Sequence, residues 1–93
     1  MLGYQDCFDI IASELDSDSV FSLGIKLKLR YPKVDEICKR NSMTSYEKIF
    51  NILVSWRNNS GLKADINQVI TVLNMMQKKS IADQIQRKLD SLK

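Results

Sequence analysis

Between Thr44 and Ala64 the chain reads TSYEKIFNILVSWRNNSGLKA, and its large apolar residues recur at helical spacing. Tyr46, Ile49, Phe50, Leu53 and Trp56 fall on one stripe, with Glu47, Lys48, Asn51 and Ser55 on the other side, so the spacing predicts a long amphipathic α-helix. Thr44 followed three residues later by Glu47 is a capping-box pattern that satisfies two backbone donors at the helix start. Asn58, Asn59, Ser60 and Gly61 supply turn chemistry at its end, with Gly61 expected in the left-handed conformation. Five anchors on one helix make it the element around which shorter helices pack.

The same periodicity predicts those helices in order. A first runs from about Asp6 to Leu15, with Phe8, Ile11, Ala12 and Leu15 inward and Asp6 and Asp9 near the positive end of the helix dipole. The turn Asp16-Ser17-Asp18-Ser19 leads into a second helix whose inner face is Val20, Leu23, Gly24 and Leu27. Phe21 and Ile25 lie off that face, half buried by expectation and available to a partner or a neighbouring helix. Tyr31-Pro32 is expected to stop the second helix and start a third, with Val34, Ile37 and Cys38 inward and Asn41 as its C-terminal cap. Beyond the central helix, Asp65 caps a fifth, with Gln68 as the reciprocal box residue and an Ala64–Val69 staple. Its stripe is Ile66, Val69, Ile70, Leu73 and Met76. Ser80 is the predicted cap of a sixth, carrying Ile81, Ala82, Ile85, Leu89 and Leu92. The result is an all-α, antiparallel six-helix bundle over residues 1–93, read as one module without linker or repeat.

Composition supports helices over strands, since three Gly and one Pro leave few breakers among 93 residues and no strand-like alternation is present. A chain of this length buries roughly 60–65% of its extended surface, enough for one core without metal or disulfide staples. Histidine is absent, which removes the usual general base and metal ligand together with every Ser-His or Cys-His nucleophile pair. Cys7 and Cys38 lack CxxC spacing, and the glycines form no phosphate loop. The expectation is therefore no enzyme, no cofactor and no metal. With two cysteines, no signal-peptide pattern at the start and no stretch approaching 18 apolar residues, the expected setting is cytoplasmic, with no membrane span within the chain.

Charge is distributed unevenly. The net charge is +3, but residues 1–20 hold five acids and no base, whereas residues 21–40 hold six bases and two acids. An acidic first helix and loop on one molecule, facing basic second and third helices on another, is a head-to-tail arrangement.

The residues from Ile49 to Ala64 carry a resemblance. Leu53-x-x-Trp56, the Gly61 loop and Ala64 resemble the fourth helix and following loop of death domains. INQVITVLNMM and SIADQIQRKL resemble that family's fifth and sixth helices. In the second helix, Val20 stands where the family often has Trp, and Lys28, between Leu27 and Leu29, where it often has Gly. The Arg-x-Asp-Leu signature of death-effector domains is absent. The resemblance implies a non-enzymatic adaptor that binds other death-domain proteins, copies of itself included, in apoptotic or inflammatory signalling. It also implies three asymmetric contacts: the first and fourth helices of one molecule with the second and third of another, the fourth-helix end and its following loop with the region of the sixth, and the third helix with neighbouring loops.

Together with the charge split, this makes Asp16, Asp18, Lys33, Lys39, Arg40, Arg57 and Lys63 the candidate partner-binding residues, with Leu53 and Trp56 as fold residues. The alternative is a small helical DNA-binding domain that sets Lys26, Lys28, Arg30, Lys33, Lys39 and Arg40 against phosphates. Asp35 and Glu36 interrupt the third helix where a recognition helix needs donors.

Overall fold

The computed structural model describes residues 4–91. Among them are six α-helices and no strand: α1 (Gln5–Glu14), α2 (Val20–Lys26), α3 (Tyr31–Cys38), α4 (Ser45–Ser60), α5 (Ile66–Met75) and α6 (Lys79–Ser91). Single 3-10 turns precede α2 (Ser17–Ser19) and α5 (Gly61–Lys63). Leu92, predicted to end the apolar stripe of the last helix, lies outside the described residues.

As the sixteen-residue stripe predicts, α4 is central, lying against α1, α2 and α3. Its start is the expected capping box: Thr44 Oγ1 accepts from the Glu47 amide at 3.2 Å, and Glu47 Oε1 accepts from the Thr44 amide at 3.1 Å. The buried face, however, is rotated from the predicted stripe. Ile49, Ile52, Leu53 and Trp56 are buried, Phe50 is half buried, and Tyr46 remains 39% exposed. Packing on three sides selects Ile52, while Tyr46 sits at the edge and donates its hydroxyl hydrogen to Asp9 Oδ1 on α1. The same rotation occurs in α5, where Val72 is buried beside Ile66, Val69 and Leu73, while Ile70 and Met76 are only half buried.

Rings fill the seam between α1 and α4. Phe8, fully buried, meets Phe50 edge-on at 6.0 Å and Trp56 at 6.3 Å, and Tyr4 lies 6.5 Å from Trp56. Ile11, Leu23, Val34, Ile37, Leu73 and Ile85 continue this cluster through the bundle. No buried side-chain polar atom among the described residues lacks a partner. Cys7 is buried and Cys38 half buried; both are free thiols, and burial pushes both up from the ordinary thiol range, which lowers their thiolate fraction near neutrality.

Several predicted helix ends are set differently. Tyr31-Pro32 does not stop α2; Tyr31 already opens α3. The helix closes earlier, because Lys28 takes a left-handed conformation (φ 65°) that lets the Leu29 amide bond Gly24 O at 3.1 Å and the Lys28 amide bond Ile25 O at 2.9 Å. This is a Schellman closure with lysine where glycine is usual. A second one ends α5 at Gln77 (φ 63°), through Lys78 N to Leu73 O at 2.8 Å and Gln77 N to Asn74 O at 3.0 Å. The chain then turns at once into α6, so Lys78 O accepts the first helical amide, from Ala82, and Ser80 lies inside the first turn rather than capping it. Helix α3 ends at Cys38, short of Asn41. Asp65 does cap α5, accepting the Asn67 amide at 2.9 Å, but the partner in its turn is Asn67 rather than Gln68. Gly61 combines φ 58° with ψ −130°, the mirror image of extended backbone rather than the left-handed helical region.

Replacing Lys28 with glycine is expected to relieve this strain and stabilise the fold by about 0.5–1 kcal/mol, net of the entropy glycine adds to the unfolded chain. Chemical denaturation of Lys28→Gly beside the parent measures it, and a lower midpoint would contradict the expectation.

Candidate interaction surface

Charged side chains on this bundle divide into those neutralised internally and those left open. Asp16 belongs to the first group. Lys78, from the turn before α6, approaches its carboxylate at 2.9 Å, and Ser19 Oγ donates to it at 2.9 Å. The Lys78 and Ser19 hydrogen bonds hold the Asp16 carboxyl below the usual carboxylate range. Lys39 pairs with Asp35 at 3.0 Å and Arg40 with Glu36, each one helical turn back; the Asp35 hydrogen bond raises the Lys39 ammonium above its ordinary value. Such exposed pairs contribute little to stability, but they remove charge from the surface a partner meets. Arg57 lies with its guanidinium 5.7 Å from the centre of the Phe8 ring, a cation–π contact that turns it inward.

The second group is exposed and unneutralised. Among the described residues Asp18, Lys26, Lys28, Arg30, Lys33 and Lys63 make no ion pair. Lys63 stands beside Leu62, a fully exposed leucine on the 3-10 turn after α4. Asp18 borders a shallow depression with Phe21, Cys38 and Lys48, beside the end of α3. The structure thus brings the acidic turn alongside the Cys38 end of α3, while Lys33, near the start of α3, is free of partners. Close to Lys33, Tyr31 is 61% exposed and meets Phe21 edge-on at 5.5 Å, with Ile25 one turn along α2. Phe21 and Ile25 were expected off the inner face; Tyr31 was not singled out as a surface residue, although its place before Pro32 at the head of a helix exposes it. On α1, Asp9 is engaged by Tyr46 and Asp6 lies 4.0 Å from Lys88.

The sequence matches a known family over nearly the whole described chain. A family model described as the Lrrd1 death domain matches residues 4–89. The chain belongs to the Lrrd1 death-domain family. The six-helix bundle is the death-domain fold, and the family assignment makes it a protein–protein interaction module. No curated protein and no solved structure matches this death domain. Among its described residues no group of His, Cys, Asp or Glu is placed to hold a metal ion, and no helix is long and apolar enough to cross a membrane.

The Asp16–Lys78 pair makes a testable contribution to stability against pH. Because the Asp16 pKa is lowered by folding, its contribution is complete above the unfolded carboxylate range and is lost as pH falls through the folded value. Melting temperature followed from pH 6 down to pH 2 should therefore fall more steeply in the parent than in Lys78→Met. Superimposable profiles would mean that the pair contributes nothing in solution.

Proposed function

We propose that this death domain is an adaptor module that binds other death domains, copies of itself included, in a head-to-tail manner in cytoplasmic apoptotic or inflammatory signalling. The observation that carries this reading is the unneutralised basic edge at the start of α3, with Arg30 and Lys33 beside the exposed Tyr31 and Phe21, set against the exposed acid of the first loop. An exposed apolar patch with Arg30 and Lys33 on one side and Asp18 on the other can take a second copy offset head to tail, the apolar centre supplying affinity and the charged rim supplying rate and choice of partner. Asp18, Lys33 and Lys63 are the residues most available to a partner. Asp16, Lys39 and Arg40 must first exchange their internal partners, and Arg57 its ring.

The nucleic-acid alternative meets the same internal pairing. Two of its six cations, Lys39 and Arg40, are neutralised by Asp35 and Glu36, which weakens a phosphate footprint on α3.

Charge reversal tests the proposal, and Asp18 is preferred to Asp16 because reversing Asp16 would also break its pair with Lys78. Arg30→Glu with Lys33→Glu, and separately Asp18→Lys, should each slow association by roughly tenfold at low salt while leaving the melting temperature within a few degrees of the parent. Mixing the two variants should restore heterotypic association. Sedimentation across protein concentration, with duplex DNA titrated in parallel, reads the result. Association unchanged by both reversals, or tight DNA binding that weakens steeply with salt, would overturn the proposal.

A further inference from the structure

Where the ends of α2 and α4 meet one face of α5, the surface opens into a cavity of about 580 Å³. Its apolar lining is mainly Met75, 60% exposed, beside a floor to which Leu27, Leu29, Trp56 and Val72 contribute only residual exposed edges. Its charged lining is of one sign: Lys26 and Lys28 stand on it and no carboxylate does. Neither lysine has an ion-pair partner among the described residues. The side-chain amides of Asn59 and Gln68, also lining it, each carry both donor and acceptor capacity.

Backbone strain falls at the same place. Lys28 holds a left-handed conformation, φ 65°, that glycine would adopt without penalty, so a lysine is kept in the cavity lining at a cost to stability.

We infer that this cavity is a docking site for an acidic peptide segment of a partner protein, in which carboxylates flank a large apolar anchor. The anchor covers the Trp56 and Leu29 floor, the carboxylates meet Lys26 and Lys28, and the amides of Asn59 and Gln68 serve the peptide backbone. The volume lies within the range of sites that hold a small ligand or an anchoring side chain with its neighbours. The assignment is separate from the head-to-tail surface, since it uses neither Asp18, Arg30 nor Lys33.

Trp56 is the chain's one tryptophan and lies on the floor, so its emission reports occupancy directly. The probe is an acetylated, amidated hexapeptide with a central leucine-phenylalanine pair and two glutamates on each side. It should shift Trp56 emission saturably, more weakly as salt rises. Lys26→Glu with Lys28→Glu should weaken binding roughly tenfold or more, the loss expected for charge-assisted contacts. The same peptide with serines at its centre, or lysines at its flanks, should not bind. Lys28→Gly should bind several-fold more weakly although its fold is the more stable, which separates loss of the site from loss of structure. An unmoved Trp56 signal, equal binding of the lysine-flanked peptide, or a Lys28→Gly domain that binds as the parent does would overturn the assignment. So would saturation of the signal by dodecanoate in place of the peptide. Because the head-to-tail variants leave both lysines intact, they should bind the hexapeptide normally whether or not they self-associate.

Discussion

Truncating Trp56 to alanine should destabilise the domain by about 3–5 kcal/mol, the range for removing a large buried aromatic. Trp56 is 3% exposed, lies 6.3 Å from the Phe8 ring and 6.5 Å from Tyr4, and belongs to the face of α4 on which the bundle closes. Its removal takes ring contacts from two neighbours at once. Because one side of Trp56 borders the open cavity beside α2 and α5, water can enter part of the space it vacates, which places the loss toward the lower end of that range. Phe8, fully buried and in ring contact with Tyr4, Phe50 and Trp56, has no such relief, so Phe8→Ala should cost at least as much. A domain of this size is stable by roughly 5–14 kcal/mol, so either change removes a large part of the total. Urea denaturation followed by circular dichroism measures both, since the Trp56 variant has lost its fluorophore. A midpoint unchanged by Trp56→Ala would mean that the indole is not packed in solution.

The helices and their order were legible because each rests on local periodicity, and the α4 start was legible because Thr44 and Glu47 satisfy each other within one turn. The phase of α4 and α5 was less so. A helix covered on several sides has a buried arc wider than one stripe, and only the neighbours decide that Ile52 and Val72 lie within it while Tyr46 does not. The closures at Lys28 and Gln77 were hidden for a different reason: the signal for a left-handed cap is glycine or asparagine, and neither residue is there. For the surface, sequence separates acids from bases but cannot show which are already paired. Asp35 with Lys39 is one helical turn apart and readable in principle, whereas Asp16 finds Lys78 only because the turn after α5 returns to the first loop. The cavity depends on the ends of two helices meeting the face of a third, and no local pattern announces it.

Gly24 holds α2 close against α3 and α4, and Gly24→Ala should reverse the usual preference for alanine in a helix. Helix propensity alone favours alanine by about 0.5–1 kcal/mol. A Cβ at Gly24, however, would lie 2.8 Å from both Val34 methyl groups and 3.4 Å from Ile52 Cδ1. Val34 is fully buried and β-branched, so it has no free rotamer into which to retreat, and α2 must move away from α3 and α4 instead. Overpacking of this kind costs about 1–3 kcal/mol, more than the propensity gain, so the net change is destabilising. Gly24→Leu, with a larger side chain at the same contact, should destabilise still further. The cause is separable from any backbone effect by a double-mutant cycle. Val34→Ala removes both clashing methyls and is destabilising by itself, yet combined with Gly24→Ala it should cost less than the two changes summed, by about 0.5–3 kcal/mol of coupling. Additive losses would place the effect of Gly24→Ala away from Val34, and a stabilised Gly24→Ala would mean that α2 and α3 are not held at this distance in solution.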